Sequence, residues 1–114
     1  MTMRRALLGK WGEDRAARWL EERGWTVLER RWRCRLGELD IVAVDGDELV
    51  FVEVKTRSSL RCGAPEEAVG RAKRARIVRA ACAYMRFKGI GDRALRFDVV
   101  ALSPEGLRHI PAAF

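Results

Sequence analysis

Residues 49–55 run Leu49-Val50-Phe51-Val52-Glu53-Val54-Lys55, an apolar, β-branched stretch broken by two opposite charges. Its length and composition read as a buried strand, where a charge is out of place unless something compensates it. The two-residue spacing puts Glu53 and Lys55 on one face of that strand. Such a pair either neutralises itself as a salt bridge or holds an ion.

The residues just upstream bear on that choice. Asp45-Gly46-Asp47 separates this strand, 48–57, from an earlier one, 38–44, and an Asp-Gly pair between apolar runs signals a tight hairpin. A two-residue turn at Gly46-Asp47 sets Asp45 opposite Glu48 and, further along both strands, Asp40 opposite Glu53. Any other even-length loop keeps both on the same face. Like charges facing each other across strands are destabilising unless something binds them. A hard divalent cation resolves the conflict, because Mg²⁺ takes one or two carboxylates and leaves positions for phosphate oxygens. Asp40, Glu53 and Lys55 therefore form one candidate site, with Mg²⁺ or Mn²⁺ as the expected cofactor.

Outward from the hairpin, residues 4–23 read as a helix, with Leu7, Trp11, Ala16, Ala17 and Leu20 at helical spacing and Gly24 as its C-terminal cap. Residues 25–34 alternate as a half-exposed strand. Pro65, followed by Glu66 and Glu67, opens a second helix that runs to about Phe87, with Gly70 a candidate break. Residues 95–102 form another strand, and 107–110 a short edge piece. The expected fold is α/β: three strands in an antiparallel meander, then a helical crossover that returns the last long strand in parallel. Helices cover this mixed central sheet, and the 114 residues constitute one domain.

Glu13 falls in register with Gly9, Ala16, Ala17 and Leu20, so it either escapes the inward stripe or meets a positive charge at the sheet. Lys73 shares a stripe with Val69, Ile77, Ala80 and Tyr84. Arg71, Arg74, Arg76 and Arg79 lie off it, as a basic face suited to a phosphate backbone or simply to water. The net charge of +7 and pI near 10.2 suit a nucleic-acid partner. No apolar run is long enough to span a membrane or form a signal-peptide core, so a cytoplasmic protein is expected. Cys34, Cys62 and Cys82 are odd in number and lack metal-site spacing, which argues against disulfides and zinc. The lone His109 reads as a surface or sheet-edge residue.

Gly12-Glu13, Gly37-Glu38-Leu39-Asp40, residues 49–57, Ala68-Val69 with Lys73, and Arg96-Phe97-Asp98-Val99-Val100 together resemble the bacterial YraN family. That family is placed with restriction-endonuclease-like, PD-(D/E)XK nucleases, similar to archaeal Holliday junction resolvases. The resemblance spans nearly the whole chain and implies an αβββαβ core. Asp40, Glu53 and Lys55 match the nuclease motif, and Glu13 matches the helix carboxylate of the resolvase branch. Leu39 stands where the superfamily often has proline.

These readings converge on a Mg²⁺-dependent endonuclease hydrolysing DNA phosphodiesters, with branched or junction DNA a candidate substrate. Asp40 and Glu53 would hold the metal, Lys55 would act on the attacking water, and Glu13 would hold a second ion or its water. Arg71, Lys73 and Arg74 would contact the nucleic acid. A junction substrate calls for two sites and hence a homodimer. The alternative is a nucleic-acid-binding module of the same fold without catalysis.

Overall fold

The computed structural model describes residues 2–57 and 69–114, with the side chains of the first helix described from Gly9 onward. The elements are α1 (Thr2–Glu22), β1 (Thr26–Cys34), β2 (Gly37–Asp45), β3 (Glu48–Thr56), α2 (Arg71–Phe87), β4 (Leu95–Ser103) and β5 (Gly106–Ile110). They build one five-stranded sheet in the order β1-β2-β3-β4-β5. Only the β3–β4 pairing is parallel, as the helical crossover requires. The αβββαβ order and mixed sheet expected from sequence are therefore present. Pro65, Glu66, Glu67 and Cys62 lie outside the described residues. Gly70 has extended backbone and caps α2, which starts at Arg71.

Period-two alternation in the central strands divides the core into two layers. Val50, Val52, Ile41, Ala43, Val100 and Leu102 pack on Ala16, Ala17 and Leu20 of α1. Leu49, Phe51, Val42 and Val99 pack on Ile77, Ala80, Ala81 and Tyr84 of α2, on the opposite face. The β3 run is apolar on both sides because a helix covers each side. Trp11 is not part of the inward face of α1: it is 40% exposed, and Gly12 next to it is buried instead.

Gly12 marks where α1 meets the sheet most closely. A Cβ there would lie 2.7 Å from Thr56 Cγ2 and 3.0 Å from its hydroxyl, inside normal contact. The missing side chain lets the helix settle on the end of β3 and brings Glu13 alongside. Gly12→Val should destabilise the protein by about 1–3 kcal/mol through overpacking. Thr56→Ala in the same background should return part of that loss in a urea titration; no recovery would place the clash elsewhere.

The α1 face also holds a buried charge network that ties down the C-terminus. Asp98 is fully buried and accepts hydrogen bonds from Arg96 Nε (2.9 Å) and the Ala112 N–H (3.0 Å), with His109 Nε2 at 2.7 Å. Arg96 also reaches Glu48 and Asp45 at the hairpin end. Trp19 and Trp25 pack edge-on against the His109 ring. His109 is thus on the edge strand as expected, but its side chain is enclosed. Burial alone would push the Asp98 carboxyl up, yet the bonds from His109, Arg96 and Ala112 outweigh it and hold the pKa below the usual value.

Candidate active site

The hairpin register is the one its turn dictates. Gly46 takes the left-handed conformation, Asp45 pairs with Glu48, and the ladder continues to Ile41 opposite Val52. There it stops. Instead of a main-chain carbonyl, Asp40 Oδ2 accepts the Val54 N–H at 2.9 Å. A side-chain acceptor substitutes for the next rung, so the carboxylate lies where β2 and β3 part.

The other neighbour of β2 changes direction at the same level. Arg30 pairs with Ile41 and Trp32 with Leu39, which places Arg31 beside Asp40. Arg31 has φ +54°, a conformation that non-glycine residues rarely adopt. On its two sides the strand faces invert: Arg30 bonds Asp14 of α1, whereas Trp32 and Leu39 belong to the α2 layer. The kink sends the Arg31 side chain toward α1, where its Nε donates to Glu13 at 2.9 Å.

Glu53 follows Phe51 on the α2 face of β3 and is only 6% exposed. Lys73, in the first turn of α2, places its ammonium 2.7 Å from Glu53 Oε1. Gly37 permits this docking, because a Cβ there would press to 3.2 Å from the Arg76 carbonyl of α2. The result is an open cleft of about 160 Å³ lined by Gly37, Glu38, Asp40, Glu53, Lys73, Arg76 and Ile77.

The electrostatics follow from this crowding. Burial, then the adjacent Glu53 carboxylate, push Asp40 up to about 8; the Val54 N–H opposes the shift and Glu13 adds to it. The Lys55 ammonium is depressed, first by burial and then by Lys73 and Arg57, with Glu53 and Asp40 offsetting part of the effect. Among the described residues Lys55 makes no hydrogen bond or ion pair. It is the amine in the site with no carboxylate of its own.

Asp40 gives a pH dependence of definite sign. Its folded pKa is raised above the unfolded value, so its contribution to stability is complete below about pH 4 and is lost as pH rises through about 8. In chelator, Asp40→Asn should therefore gain stability relative to the parent across that window. Parallel stability curves for the two proteins would refute the strained carboxyl.

The structure thus brings together Asp40, Glu53 and Lys73, with Glu13 near enough to act on Asp40 although its carboxylate is engaged by Arg31. Arg71 is exposed at the start of α2 and does not line the cleft. Arg74 turns away from the basic face: its Nε bonds the Val69 carbonyl at 2.7 Å and its guanidinium lies over Phe114. Sequence reasoning missed Arg31, since nothing in a strand pattern announces a left-handed residue. The sequence does not single out Arg76 from the basic face of α2, although Arg76 lines the cleft.

Asp40 and Glu53 suit a hard cation. They are all-oxygen donors in mutual reach, Glu53 buried and Asp40 half-buried, and burial and then Glu53 drive Asp40 toward the proton. Among the described residues no three Asp, Glu, His or Cys side chains gather round one point. A cation here would take its other donors from main chain, water or substrate.

The model of the uncharacterised protein family UPF0102 matches residues 12–102. A UPF0102 protein of Moorella thermoacetica is 50% identical over 102 residues, covering 90% of this chain and 85% of that protein. One from Beutenbergia cavernae is 55% identical over 95 residues, covering 83% and 80%. A third, from Syntrophotalea carbinolica, is 46% identical over 118 residues, covering 100% and 96%. The match runs from Gly12 through β4, and so includes Glu13, Asp40, Glu53, Lys55 and Lys73.

Proposed function

Because the chain belongs to the UPF0102 family, the family its motifs resemble under the name YraN, we propose from its site that it is a metal-dependent endonuclease cutting DNA phosphodiesters. One observation carries this reading: the half-buried Asp40 and buried Glu53 carboxyls crowd each other, and burial together with Glu53 pushes Asp40 up to about 8. A lone salt bridge would need one carboxylate and one ammonium. Here, among the described residues, Glu53 has Lys73, and Glu38 at the cleft's edge has Arg33, while Asp40 has no ammonium of its own and Lys55 stands nearby without a carboxylate partner.

Asp40 and Glu53 would hold Mg²⁺ or Mn²⁺, with the Val54 carbonyl as a further donor. A bound ion supplies Lewis-acid charge at the phosphate oxygens. Lys55 would act on the attacking water, and burial, then Lys73 and Arg57, lower its pKa from the usual lysine value and so ease its loss of a proton. It would take the water's proton as the water oxygen bonds to phosphorus and the P–O bond to the departing strand end breaks, and the resulting ammonium would stay beside the charge on the phosphate oxygens. Glu13 orients Arg31 at the rim. The exposed guanidiniums of Arg71 and Arg76, and the charge of +7, suit a polyanionic substrate held through its phosphates.

The deciding experiment incubates purified protein with linear, nicked and four-way-junction DNA, in Mg²⁺, in Mn²⁺ and in chelator. The expected result is cleavage of at least one substrate that chelator abolishes. DNA binding with no metal-dependent cleavage on any substrate would leave a nucleic-acid-binding module and overturn the enzymatic reading. Among the described residues no helix is long and apolar enough to cross a membrane.

A further inference from the structure

The ion pair between Lys73 and Glu53 raises a question of charge that the proposed reaction leaves open. Glu53 is 6% exposed, and its ammonium partner belongs to a helix on the other side of the cleft. A buried carboxylate needs a counter-charge whether or not substrate is present. Lys73 supplies it at 2.7 Å, on the oxygen-bearing group that a cation would also need.

A cation and this ammonium would crowd each other. Lys73 and Arg76 already line the cleft with positive charges. A divalent ion between Asp40 and Glu53 would add two more. The Lys73 side chain is the one free to leave: it is 38% exposed, its four-carbon stem is flexible, and it opens onto the cleft beside Arg76.

We infer that Lys73 is the built-in counter-ion of the metal-free site, displaced from Glu53 by the divalent cation and thereby released toward substrate phosphate. This rests on the reading of Asp40 and Glu53 as the cation site. The exchange couples the two ligands: the ion's arrival turns an ammonium committed to a carboxylate into one available to a phosphate oxygen. Without the ion, the site keeps its charge neutralised from within and presents less positive charge to a polyanion. Lys73 then ties phosphate capture to metal loading.

The test is a calorimetric titration of the intact, nucleic-acid-free protein with Mn²⁺. Lys73→Met removes the competing ammonium, so Mn²⁺ should bind about tenfold more tightly than to the parent, the scale of one charge-assisted hydrogen bond. Lys73→Gln, neutral but still able to donate to Glu53, should shift affinity the same way. Lys73→Arg restores the competitor and should stay within about twofold of the parent. Asp40→Asn should abolish the binding. Equal or weaker Mn²⁺ affinity in both neutral variants overturns the exchange while leaving the cation site standing. If the parent's binding is absent or indifferent to Asp40→Asn, the cation site and the exchange fall together.

Discussion

In chelator, Asp40→Asn should bind DNA at least as tightly as the parent, and with Mg²⁺ it should cleave none of it. The two halves of this result have different causes. Asp40 and Glu53 repel each other and the phosphate backbone, so removing one potential charge relieves both. Cleavage needs the carboxylate pair for the ion, and the loss should be about a thousandfold or more, comparable to removing a principal electrostatic group from an active site. Lys55→Ala should also abolish cleavage, but with binding weakened slightly, because it deletes a positive charge. The pair of variants therefore moves binding in opposite directions while both lose activity. Cleavage by Asp40→Asn at the parent rate would move the chemistry to another site or another protein.

The largest effect on stability is expected at Asp98. Asp98→Ala should cost about 3 kcal/mol, at the lower end for breaking a buried ion pair. Arg96 retains Glu48 and Asp45, but His109 and the Ala112 N–H lose their acceptor inside a packed layer. His109→Gln should be milder, since Arg96 continues to compensate the carboxylate. Urea unfolding of the two variants measures both. A change below about 1 kcal/mol for Asp98→Ala would mean that the network is not a cooperative unit. Asp98 lies on the α1 face and Glu53 on the α2 face, so Mn²⁺ binding to the folded variant should match the parent's.

The parts of this architecture legible in the sequence are those that short-range geometry decides. An Asp-Gly turn fixes its own register, which brought Asp40 to the level of Glu53 from residue numbers alone. Helical spacing likewise aimed Glu13 inward, and Gly12 explains how closely it approaches. Hidden were the features that need a third element. Lys73 could be placed on the inward stripe of α2, but its bond to Glu53 depends on how α2 crosses the sheet. Arg31 looks like one more arginine in an arginine-rich strand, although its backbone conformation lets the strand change faces beside the site. Asp98 sits among β-branched residues, and its partners come from β4, β5, the C-terminus and, through Arg96, the β2–β3 turn.

The parallel pairing of β3 with β4 has a consequence for the order in which the molecule assembles. The β2–β3 hairpin closes through a local turn, whereas Leu49 must find Leu95 across the whole crossover. Contacts so distant in sequence carry a larger loop-closure penalty and form later than local ones. The acidic pair is thus created early, by two strands and a turn, and Lys73 can answer it only when α2 docks. Until then the two carboxyls lie on a sheet open to water on one face, without the burial that is the main cause of the Asp40 shift. Docking of α2 is therefore the step that withdraws water from the pair, so the preference of Asp40 for its proton belongs to the finished cleft and not to the hairpin that created it.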